Sequence, residues 1–75
     1  MVRKIVEVAE LESILLTELR KEKGCGGAEQ VTVVPRAGAE WICGSFRAGK
    51  SDHNDCRAAL NSLERRLRNM YGVKA

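Results

Sequence analysis

The amino-acid sequence predicts a small α+β domain of two layers, in the order α-β-β-α, with both helices on one face of an antiparallel hairpin. Three observations carry this expectation. Apolar residues recur at helical spacing over residues 6–23 and again over 52–71. Two β-branched or aromatic runs, 30–34 and 40–46, lie between them. Only residues 35–39 separate those runs, and Pro35-Arg36-Ala37-Gly38 within them is a turn, which makes a hairpin connection.

In the first segment Val8, Leu11, Ile14, Leu15 and Leu19 fall at i, i+3, i+4 and i+7 spacings and form one stripe, with Leu16 at its margin. Glu7, Glu10 and Glu12 come early, whereas Arg20, Lys21 and Lys23 come late. That order complements the helix dipole, and Gly24 is placed to stop the helix. Gly24-Cys25-Gly26-Gly27 then forms a flexible connection. The first strand reads Gln30-Val31-Thr32-Val33-Val34. In the second, Trp41, Cys43 and Ser45 alternate with Ile42, Gly44 and Phe46, so each face carries an aromatic and the buried face stays open. Ser51 or Asp52 caps the second helix, and Asp55 stands at N3 if Asp52 is the cap. Its stripe is Cys56, Ala59, Leu60, Leu63, Leu67, Met70 and Tyr71, with Gly72 as a stop.

The chain has 75 residues, enough for a single domain over 1–75. A domain of this size buries only roughly 60% of the surface its unfolded chain exposes, leaving few apolar residues for a deep pocket. Thirteen Lys and Arg against ten Asp and Glu give a net charge of +3, without a long run of one sign. This balance permits a nucleic-acid or phosphorylated partner without demanding one. No apolar run approaches the ~20 residues of a membrane span, and the N-terminal segment lacks the apolar core of a signal peptide. The three cysteines are odd in number and contain no Cys-x-x-Cys pair. The expectation is a cytoplasmic protein with reduced thiols and no membrane partner.

Residues Gly44 to Ser51 satisfy the phosphate-loop pattern G-x-x-x-x-G-K-S, with a strand before and a helix after. In such loops backbone N–H groups close around phosphate, the Lys neutralises its oxygens and the Ser binds Mg²⁺. The surroundings weigh against hydrolysis. The preceding strand is a hairpin turn from its neighbour, whereas the nucleotide-hydrolysing arrangement needs a parallel strand reached by a long crossover. Asp52 and Asp55 also put negative charge where phosphate would sit. What remains is an anion-binding candidate: Arg47, Gly49, Lys50 and Ser51.

Cys25, Cys43, Cys56 and His53 have the composition of a zinc set, but no cysteine pair has the usual two-to-four-residue spacing, and no metal or cofactor is expected. Cys25, between glycines and near Lys21 and Lys23, is the one candidate reactive thiol. Arg57, Arg65 and Arg68 on the second helix are candidate phosphate contacts, interrupted by Glu64. The leading expectation is a small non-catalytic interaction domain, working through a protein partner or as a homodimer. A lone hairpin has two open edges, which is the reason for expecting association. The alternative is a nucleic-acid or phosphate-binding module using loop 44–51 and the basic helix face.

Overall fold

The computed structural model describes residues 3–74 and is an α+β domain. Its elements are β1 (Lys4–Val6), α1 (Val8–Arg20), β2 (Gln30–Pro35), a 3₁₀ turn (Ala37–Ala39), β3 (Trp41–Arg47), α2 (His53–Arg68) and β4 (Tyr71–Val73). The helix–hairpin–helix sequence is thus flanked by two three-residue strands that local pattern did not announce.

Strands β2 and β3 pair antiparallel, while β1 and β4 form a separate parallel pair. The second pair shortens both helices relative to expectation. Residues Ile5 and Val6 join β1, so α1 begins at Val8, with Glu7 as its N-cap. At the other end α2 stops at Arg68 with Asn69 as C-cap, and Tyr71 to Val73 extend alongside β1. Gly72 is therefore a strand residue and not a helix stop. A Cβ there would lie 2.8 Å from the Ile5 Cδ1 and 3.1 Å from the Ala39 carbonyl oxygen, so the site admits only glycine without rearrangement. Met70 leaves the apolar stripe and stands 51% exposed.

One core joins the layers. Leu11, Leu15 and Leu19 of α1 and Cys56, Leu60, Leu63 and Leu67 of α2 meet Val31, Val33 and Trp41 of the hairpin, with Val6 and Val73 from the terminal strands. Trp41 is fully buried, and its indole N–H donates to the Tyr71 carbonyl at 3.0 Å, fastening the hairpin to β4.

The core face of the hairpin is decided by a β-bulge. Val33 pairs with Cys43 and Pro35 with Trp41, but Val31 pairs with Phe46, so β3 carries one extra residue opposite Thr32. The extra residue reverses the alternation. Phe46 moves onto the face of Trp41 and Cys43, where it packs against the core, and the apparent conflict of one aromatic per face disappears. The Thr32 hydroxyl holds the bulge, 3.0 Å from the Ser45 carbonyl oxygen to which it donates.

Cys25 and Cys56 form a disulfide with Cα atoms 5.5 Å apart. It ties the loop after α1 to the first turn of α2, and both residues are fully buried. This corrects the expectation of reduced thiols, and Cys25 is neither exposed nor free. The pairing joins positions 31 residues apart that only the packing of α1 on α2 brings together.

Candidate functional site

The phosphate-loop-like segment is folded against the glycine connection. The Arg47 carbonyl accepts from the Glu29 N–H at 2.9 Å, and the Ser51 hydroxyl accepts from the Gly27 N–H at 2.9 Å. Gly49 has φ +61°, and a Cβ on it would come closer than 3.0 Å to the Gly27 carbonyl oxygen. Its glycine is thus required by the approach of Gly27 to Glu29, whatever else the loop does. Arg47 and Lys50 are exposed, and the Asp52 carboxylate caps α2 by accepting from the Asp55 N–H at 2.9 Å. The loop therefore presents two cations, one glycine and one serine engaged in packing, and an aspartate at the helix start.

On α2, Arg57 and Arg65 are exposed and eight residues apart on one side. Arg68 differs, since its guanidinium is bound to Glu64. Of the four residues with zinc-set composition, two are in the disulfide, and His53 stacks on Phe46 with ring centroids 4.9 Å apart. No group of three His, Cys, Asp or Glu side chains gathers into a metal-binding cluster among the described residues.

A shallow groove of about 60 Å³ runs between β3 from Cys43 to Phe46 and the α2 residues Arg57, Leu60, Asn61 and Glu64. Small-molecule pockets have volumes of roughly 300–1,000 Å³, so this space suits water and not a small-molecule ligand. Burial, and then the hydrogen bond to Glu64, push the Cys43 thiol up from 9.0 to about 12. It stays protonated, which is the opposite of a nucleophile's requirement.

The groove borders the outer edge of β3, and the two edges of the hairpin are treated differently. The Val33 N–H donates to the Glu12 carboxylate of α1 at 2.8 Å. That N–H therefore points away from β3, which makes Val33 and Cys43 a non-hydrogen-bonded pair. The N–H and C=O of Cys43, and by the same alternation those of Trp41, face outward on the other side. Among the described residues these groups bond to no other segment's backbone. Thus α1 covers the β2 edge with a carboxylate, whereas on β3 the Trp41 end is fully buried and only the half-buried Cys43 has outward backbone groups beside the groove.

Glu12 is the residue that sequence reasoning missed. Its signal was present: it stands on the stripe of Val8, Leu15 and Leu19, and a carboxylate on a buried stripe calls for a donor. No protein-family model, no curated protein and no solved structure matches this chain.

Proposed function

We propose that this domain acts through protein–protein contact and is not an enzyme. The observation that supports it is the asymmetry of the hairpin: one edge is capped by Glu12, and the other has no backbone partner at the half-buried Cys43 among the described residues. An open edge is a template for strand addition, a recurring mode of protein recognition. Against catalysis stand the high thiol pKa of Cys43 and the stacking of His53 on Phe46. Sedimentation velocity at increasing concentration tests association; a sedimentation coefficient that rises with concentration is expected.

A second reading, nucleic-acid or phosphate binding, draws on Arg47, Lys50, Arg57 and Arg65. These are exposed and in no ion pair among the described residues. Titration with mixed DNA and RNA at low and moderate salt tests it, and binding that weakens steeply with salt would favour it over the first. As to compartment, no helix among the described residues is long and apolar enough to cross a membrane. The paired Cys25 and Cys56 favour a setting that maintains disulfides over a reducing cytoplasm.

A further inference from the structure

We infer that the outward face of α2 enters the major groove of double-stranded DNA and reads base edges there. The inference rests on the nucleic-acid reading, to which it assigns a surface and a ligand class.

Arg57, Asn61, Arg65 and Asn69 follow one another at i+4 spacing along α2 and its C-cap, and Ala58 and Ser62 lie in the row beside them. All are exposed, and neither row holds an acid or a large apolar side chain. Asp55, the exposed acid of the first turn, belongs to neither row. The core does not dictate this composition, since α2 buries Cys56, Leu60, Leu63 and Leu67 on its other side. Nor does ion pairing. A solvated helix matches its cations with carboxylates three or four residues away, as Glu64 does for Arg68 and Glu18 for Lys21. The positions three and four from Arg57 hold His53, Asn54, Leu60 and Asn61, and those from Arg65 hold Asn61, Ser62, Arg68 and Asn69. Both guanidiniums therefore lack a neighbouring carboxylate on their own helix. Residues 47–68 hold six Lys and Arg against three Asp and Glu, which accounts for the whole of the chain's net +3.

This chemistry matches a polyanion that also displays hydrogen-bonding edges. In the major groove guanidinium pairs with guanine and carboxamide with adenine, and a width of about 12 Å admits a helix. The small Ala58 and Ser62 let the backbone of α2 come close to the bases. The corresponding groove of duplex RNA is too deep and narrow for side chains to read, so the ligand is DNA. Arg47 and Lys50, exposed in the loop that leads into α2, are placed for phosphate contacts that fix the register.

The test is selection by the full chain from a randomised duplex DNA pool, followed by anisotropy titration at several salt concentrations. The enriched duplex is compared with the starting pool, its single strands and the same sequence as duplex RNA. Circular dichroism checks that Arg57→Ala, Asn61→Ala, Arg65→Ala and the control Arg36→Ala, all at exposed positions, are folded. Expected is an enriched sequence from which each α2 arginine variant loses about tenfold in affinity and about one unit of salt slope. Asn61→Ala should cut the preference for the enriched duplex at least about fivefold with the salt slope unchanged, and Arg36→Ala should match the parent. Single strands or duplex RNA bound as tightly as duplex DNA, or no enrichment of any sequence, overturns the proposal and leaves the nucleic-acid reading standing. Variants on α2 that bind no more weakly than Arg36→Ala overturn the assigned surface. Absence of binding to any nucleic acid at low salt overturns both the proposal and the reading beneath it.

Discussion

Glu12 shows how one side chain decides which face of a small domain is available. It reaches from α1 to the Val33 N–H and satisfies a backbone donor at the edge of β2. A half-buried N–H deprived of its acceptor costs about 1–3 kcal/mol. Glu12→Ala is therefore expected to lower stability by about that amount in urea denaturation, whereas Glu12→Gln, which keeps an acceptor oxygen, should lose less. Equal losses for the two would mean that the bond to Val33 carries no weight. Cys43 gives a second test at this scale. Because its thiol is raised from 9.0 to about 12, native Cys43 should alkylate far more slowly than the unfolded chain at pH 9. The favourable contribution of the buried thiol is complete below the unfolded value near 9.0 and is lost as pH rises through about 12. Alkylation at the unfolded rate across that window would contradict the burial and Glu64 contact that raise it.

At the scale of elements, the disulfide and the β-bulge govern how the layers meet. Cys25–Cys56 closes a loop with a separation of 31 residues. Chain-entropy arguments assign a bridge of that span ~3–4 kcal/mol, a large fraction of the stability available to so small a domain. Reduction under native conditions should shift the denaturation midpoint by that amount, and a midpoint insensitive to reductant would show that the bridge is dispensable. The bulge works through geometry. With strict alternation Phe46 would face solvent; one extra residue opposite Thr32 sends it to the core and places it against His53 at the start of α2. Loop 48–51 follows directly, and Gly49 and Ser51 fasten it to the connection after α1. The resemblance of 44–51 to a phosphate loop thus has a sufficient explanation in packing, while Arg47 and Lys50 remain free for an anion.

For the molecule as a whole, one buried cluster spans every layer, with Trp41 in the middle and bonded to β4. A single core of this size is expected to unfold in one cooperative step. Trp41 fluorescence should shift to the red at the same denaturant concentration at which far-ultraviolet circular dichroism is lost. Separate midpoints would instead make the β1–β4 pair an independently melting unit.

Local pattern determined the two helices and the hairpin and narrowed the second helix's cap to Ser51 or Asp52, because each depends on residues within a few positions of one another. The α+β class followed from them. Tertiary structure alone decided the β1–β4 pairing, the Cys25–Cys56 bridge and the carboxylate on the β2 edge. Each joins residues remote in sequence, and three-residue strands carry too little pattern to be read locally. The candidate site divides in the same way. Arg47, Gly49, Lys50 and Ser51 were legible as a loop between strand and helix, but the Gly27 contacts that occupy Gly49 and Ser51 were not. The hairpin edges were half legible: a two-stranded sheet must have two, and only the tertiary structure sets Glu12 on the β2 edge and buries the Trp41 end of β3.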